Sequence, residues 1–221
     1  MRILVFDDNE IHRVAAQAQL KGHDLTVVGT YDEAQKLLTP KLDYEKASAI
    51  LKSQFGDFDP YRSDEAKKAE YFAAKKVANE QATTYPDFDV VLSDLLVPAS
   101  RQSQGSDGTQ FVGKEMPVGI FIGLVAAVRA RAKYVAVFTD SDHHSHPASA
   151  CFDVFNHEGG ESAPTAFTVD GSKVLLSNTR NWVEQFDPKD LSKALGYEEY
   201  RERSDTVRAK NWAALLAYLT A

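Results

Sequence analysis

Three aspartates stand at the ends of two apolar runs, and that placement is where chemistry would begin. Ile3-Leu4-Val5-Phe6 leads into Asp7 and Asp8, and Val90-Val91-Leu92 leads through Ser93 into Asp94. Short apolar runs with β-branched members, the second bounded by Pro86 and Pro98, read as strands buried on both faces. In open α/β sheets the carboxyl ends of parallel strands are where ligands collect. Side by side at such an edge, three carboxylates raise one another's pKa or recruit a cation. All-oxygen donors with room for water suit Mg²⁺. The competing reading is that two of these acids only cap the helix or loop that follows.

The stretch Ile3-Leu-Val-Phe-Asp-Asp-Asn-Glu-Ile-His-Arg13, then Val90-Val-Leu-Ser-Asp-Leu-Leu-Val-Pro98, then Val135-Ala-Val-Phe-Thr139, resembles the response-regulator receiver domain of two-component signalling. The resemblance covers residues 1–38, 87–98 and 133–139. It implies a flavodoxin-like, doubly wound parallel sheet of five strands in the order 2-1-3-4-5. It implies Mg²⁺ held by Asp7, Asp8 and Asp94 together with the backbone carbonyl of Leu96. Asp94 would be the phosphoacceptor, phosphorylated by a histidine kinase or phosphotransfer protein, and Thr139 the switch hydroxyl that bonds the phosphoryl oxygen. The output would be contacts with another protein, with no enzymatic activity beyond self-phosphorylation and dephosphorylation. For Thr139, a strand-end threonine bonding locally is an equally good account.

The family ends its fifth strand with Lys followed by Pro. Here the expected strand, 172–177, is followed by Asn178 and Thr179, while Lys173 stands at its other end. Arg180 is a candidate substitute cation. Two further readings therefore stand beside the first. One is a pseudo-receiver that works by partner binding alone, its acids a remnant or a structural metal site. The other is a phosphatase of the haloacid-dehalogenase type, which wants a second Asp two positions after its nucleophile. This chain has Asn9 after Asp7 and Glu10 after Asp8 at that spacing.

The elements that must position these residues follow from pattern. Asn9 can cap a helix running to Lys21, with Ile11, Val14, Ala15, Ala18 and Leu20 along one face. Residues 24–28 read as a second strand, and Thr30 can cap a helix carrying Ala34, Leu37 and Leu38. Strand-helix-strand-helix is the doubly wound signature. Residues 40–85 then interrupt it with two helices, 44–55 and 64–82, the second with a stripe through Ala69, Phe72, Ala73 and Val77 beside Lys67, Lys68, Lys75 and Lys76. That insertion is either a solvated elaboration packed on its parent or a hairpin that meets a partner. Residues 99–108 read as a loop over the acids. Residues 117–132 form a helix apolar on most sides and hence expected to be buried, and 133–139 a strand.

The run Thr139-Asp-Ser-Asp-His-His-Ser-His-Pro147 places His143, His144 and His146 directly after a strand end. Imidazole and carboxylate there suit zinc or another transition metal. Equally, the run is a polar loop capping a helix that starts near Pro147. Asp170-Gly171 between β-prone runs signals a tight hairpin, adding an antiparallel strand beside the last parallel one. Residues 182–186 and 189–195 are expected to be short helical pieces, and 205–219 a terminal helix with Val207, Trp212, Leu215, Leu216 and Leu219 inward.

Composition bounds the rest. The 221 residues are expected to form one elaborated domain, with 40–85 as a helical insertion. A net charge of −7 argues against direct nucleic-acid binding. A lone Cys151, no apolar leader and no membrane-length apolar stretch point to a cytoplasmic protein without a disulfide framework.

Overall fold

The computed structural model describes residues 1–100, 106–141, 144–155, 164, 166–178, 182–187 and 206–221. They form two compact units, one of Met1–Leu38 with Asp87–Ala221 and the other of Thr39–Pro86. Among the described residues no helix is long and apolar enough to cross a membrane.

The larger unit is α/β. It opens with β1 (Arg2–Phe6), α1 (Glu10–Gln19), β2 (Asp24–Val28) and α2 (Tyr31–Leu38). The smaller unit interrupts it with β3 (Lys41–Leu42), α3 (Tyr44–Phe55), α4 (Glu65–Ala82) and β4 (Thr83–Thr84). The larger unit resumes with β5 (Val90–Ser93), β6 (Val97–Pro98), β7 (Glu115–Met116), α5 (Val118–Val128) and β8 (Tyr134–Phe138). It continues through α6 (Pro147–Cys151), β9 (Ala166–Val169), β10 (Ser172–Ser177), β11 (Val183–Phe186), β12 (Val207–Lys210) and α7 (Trp212–Thr220). Its central sheet has six strands in the order β2-β1-β5-β8-β10-β9, parallel except for β9.

Period-two alternation along the buried strands divides the core between the two faces of that sheet. Ile3 and Val5 of β1 and Val90 and Leu92 of β5 join Val14, Ala15 and Leu20 around α1, and Trp212, Leu215 and Leu219 of α7. Leu4, Phe6 and Val91 face the other way, against Ala34 and Leu38 of α2 and Ile122 and Ala126 of α5. Because both faces are covered, residues 3–6 of β1 and 90–92 of β5 are apolar at successive positions, each such side chain contributing roughly 1.5–3 kcal/mol on burial.

Local chemistry sets the ends of the elements. Asn9 Oδ1 accepts the Ile11 N–H at the start of α1. Thr30 and Glu33 form a reciprocal capping box on α2, Thr30 Oγ1 accepting the Glu33 N–H and Glu33 Oε2 the Thr30 N–H. Asp170 and Gly171, at φ of 48° and 86°, make the tight turn between β9 and β10.

In the smaller unit Asp43 and Asp64 cap α3 and α4 by accepting from Lys46 and Lys67 N–H groups. The two helices bury Ala47 and Leu51 on α3 and Ala78 and Ala82 on α4. The expected stripe of α4 is the opposite face, and Phe72 and Val77 are exposed.

Three other expectations change. The helix at 117–132 is shorter, and it exposes Phe121, Leu124 and Val128 instead of being buried all round. Within the expected helical piece at 182–186, residues 183–186 are β11 instead, because they pair antiparallel with β12. The expected terminal helix at 205–219 is broken in two: 207–210 are strand, Asn211 is a cap whose Oδ1 accepts the Ala214 N–H, and the helix begins only at Trp212. The expected piece at 189–195 lies outside the described residues.

Candidate functional site

The parallel pairing of β1 with β5 sets Phe6 opposite Ser93, so the next residue on each strand is an aspartate. The Asp94 N–H bonds the Phe6 carbonyl at 2.7 Å and the Asp7 N–H bonds that of Val28 at 3.1 Å, which fixes both Cα positions at the sheet edge. Asp7 and Asp94 are buried and Asp8 is half-buried, and ligand oxygens of all three lie within 4.8 Å of one another. Among the described residues this is the one cluster of three or more acid, His or Cys side chains able to share a metal ion. Its all-oxygen donors, with Asp8 open to water, fit Mg²⁺.

A lysine that sequence reasoning missed occupies the cluster. Lys210, at the end of β12, is fully buried, with Nζ 2.7 Å from Asp7 Oδ2 and 2.8 Å from Asp94 Oδ1. The ammonium also lies over the rings of Phe138 and Trp212, at 5.4 and 5.3 Å from their centroids. Asn178 is turned to other work, its Nδ2 donating to Asp153 Oδ1 at 2.7 Å. Arg180 lies outside the described residues.

One ammonium between two buried carboxylates leaves a surplus negative charge. Burial is the dominant influence on Asp7 and Asp94, raising them to about 6 and about 7 against the opposing pull of Lys210. Burial also raises Asp8. The same two acids hold Lys210 well above the ordinary lysine range, overcoming the burial that would lower it.

Around this core the loops are braced. The Arg13 guanidinium donates to the carbonyls of Asp7, at 2.9 Å, and Asp8, fixing the acidic turn from behind. Asp7 Oδ1 accepts the Asn9 N–H and Asp94 Oδ1 the Leu95 N–H. On the α5 side the Gly119 N–H bonds the Leu95 carbonyl at 3.0 Å, and a Cβ at Gly119 would stand 1.7 Å from the Asp94 carbonyl oxygen. Glycine is needed there for close approach.

The remaining candidates fall as follows. Thr139 emerges beside Asp94 at the same edge, since β8 places Val137 opposite Ser93; it is buried, and its hydroxyl accepts the Ser141 N–H. The Leu96 side chain packs with Leu95, Val137 and Phe152. His146 Nδ1 accepts the Ala148 N–H and caps α6. Neither His144 nor His146 joins a metal-ligating cluster among the described residues, and His143 lies outside them. Asp140, next to Thr139, reaches inward to His12, with Nε2 3.0 Å from Asp140 Oδ2. Burial would raise Asp140, but the His12 contact and the Lys210 charge outweigh it and bring it down to about 2.

Comparison with protein-family models, with curated proteins and with solved structures gives no match.

Proposed function

We propose that the chain is a divergent receiver that binds Mg²⁺ through Asp7, Asp8, Asp94 and the Leu96 carbonyl and is phosphorylated on Asp94. The observation that carries this reading is the buried Lys210 ammonium bonded to Asp94. A receiver needs a cation beside its phosphoacceptor to meet the incoming phosphoryl oxygens. Lys210 supplies the charge that Asn178 cannot. The parallel strands in the order β2-β1-β5-β8-β10 support a receiver-like sheet, with β9 as an added antiparallel edge.

In this reading an Asp94 carboxylate oxygen attacks the phosphorus of a histidine kinase, phosphotransfer protein or small phosphodonor, whose leaving group departs with its bonding electrons. Mg²⁺, when bound, neutralises charge on the transferring group. Lys210 pairs with the transferred phosphoryl group, and Thr139 exchanges its local bond with Ser141 for a phosphoryl oxygen. The output is an altered protein-binding surface, and the chain works in the cytoplasm.

A second reading draws on the same lysine. Lys210 already bonds both buried acids, so the site can stand as a self-compensated ion cluster in a pseudo-receiver that acts by partner binding alone. Titration of Mg²⁺ with and without beryllofluoride separates the two. Joint binding that Asp94→Asn abolishes supports phosphoacceptance, and absence of both selects the pseudo-receiver.

A further inference from the structure

Lys210 meets acids on two strands of the central sheet, yet its own strand lies outside that sheet. Among the described residues, β12 pairs with β11 alone. In that ribbon Lys210 stands opposite Val183, and the Asn211 N–H bonds the Trp182 carbonyl at 2.6 Å. The ladder bonds therefore flank Lys210, and its own N–H and carbonyl face away from β11, as they do in a non-bonded antiparallel pair. Buried backbone groups without partners are costly, and here they belong to the residue whose ammonium neutralises the acids.

Helix α1 meets that need with side chains. His12 Nδ1 accepts the Lys210 N–H at 3.4 Å, and Gln19 Nε2 donates to the Lys210 carbonyl at 3.2 Å. The two residues are seven positions apart, about two helical turns, and so share a face. The same side chain and backbone reach further. Gln19 Oε1 accepts the Ala213 N–H at 3.2 Å, and the His12 carbonyl accepts the Trp212 Nε1–H at 2.8 Å. Asp140 contacts the far nitrogen of the His12 ring. With the Lys210 N–H donating to Nδ1, the ring proton belongs on Nε2, the nitrogen that lies 3.0 Å from Asp140 Oδ2.

We propose that His12 and Gln19 are positioning residues that stand in for a neighbouring strand, holding the Lys210 backbone so that its ammonium sits between Asp7 and Asp94, with Asp140 steadying the His12 ring. The importance of this clamp for phosphoryl transfer rests on the phosphoacceptor reading, whereas the clamp itself does not. Neither residue touches a reacting atom.

The test is NMR of the full-length ¹⁵N-labelled protein, following amide exchange at Lys210 and the Lys210 ammonium signal, the latter assigned by its loss in Lys210→Arg. Gln19→Ala and His12→Ala are expected to speed Lys210 amide exchange about tenfold and to broaden the ammonium signal, while the amides of β1 and β5 keep their protection. His12→Asn, whose Oδ1 can accept in place of Nδ1, is expected to restore the amide protection. Unchanged Lys210 exchange and an unchanged ammonium signal in Gln19→Ala and His12→Ala overturn the proposal. If His12→Ala does not fold, Gln19→Ala decides in the same way. Wild-type protein that binds neither Mg²⁺ nor beryllofluoride removes the phosphoacceptor reading and leaves the NMR result to judge the clamp.

Discussion

Lys210 Nζ lies 2.8 Å from Asp94 Oδ1 across 116 positions of sequence, and that contact joins the β11–β12 ribbon to the edge of the central sheet. Removing either partner therefore has opposite consequences, because the cluster holds more acid than base.

Lys210→Met leaves two buried carboxylates with no counter-charge. Unfolding in urea at pH 7.5 is expected to show a loss of about 3–5 kcal/mol, the usual result of breaking a buried pair from one side. The deficit should shrink at pH 5, where the acids are protonated. A deficit equally large at both pH values would mean that lost packing against Phe138 and Trp212, and not charge, is responsible.

Asp94→Asn removes the surplus charge and leaves Lys210 paired with Asp7. The metal-free variant should be more stable than the parent at pH 7.5, by up to about 4 kcal/mol, since Asp94 ionises in the fold at about 7 against a reference of 3.8. Chemical denaturation of the two proteins side by side measures this. A less stable variant would show that Asp94 is fully neutralised in the parent.

Stability of the metal-free protein should depend on pH in a defined direction. Asp7 and Asp94 hold their protons more tightly folded than unfolded, at about 6 and about 7 against a reference of 3.8. Their contribution is complete below the reference value and is lost as pH rises through 6 and 7. The melting temperature is expected to fall between pH 5 and 8, and Asp7→Asn with Asp94→Asn should flatten the profile. Saturating Mg²⁺ should flatten it too if the acids are its ligands.

Gly119→Ala tests the seat of α5 on the acid edge. The new methyl would stand 1.7 Å from the Asp94 carbonyl oxygen, which is backbone and cannot swing aside. We expect at least about 2 kcal/mol of destabilisation from overpacking, with weakened Mg²⁺ binding. Gly22→Ala is the control, since a Cβ there meets nothing within 4 Å, and it should stay within about 0.5 kcal/mol of the parent.

The acids were legible in the sequence because their strands are buried on both faces and so read as unbroken apolar runs ending in Asp. The hairpin was legible because Asp170-Gly171 is a turn signal independent of context. Lys210 was not. Its strand is four residues long, Val207-Arg-Ala-Lys210, and it abuts an apolar helix, so the pattern merges into one helix. A buried lysine also runs against composition rules, its justification being two acids more than a hundred residues away. One clue was local: Asn211 is a helix N-cap, and taking it as one would have left Val207–Lys210 outside the helix. The shared face of His12 and Gln19 could not be read, because a polar residue on an amphipathic helix ordinarily signals solvent.

The order of the chain gives the ribbon a kinetic meaning. Asp7 and Asp94 leave the ribosome well before the lysine that neutralises them, and at roughly 10 residues per second the 116 positions after Asp94 take about ten seconds. During that interval β1 and β5 can pair only with their acids protonated, hydrated or holding a metal ion from solution. Closure of the sheet edge around a buried ion cluster is thus a late event in biogenesis, and on the proposed Mg²⁺-binding reading magnesium would act on the nascent chain as well as on the finished protein.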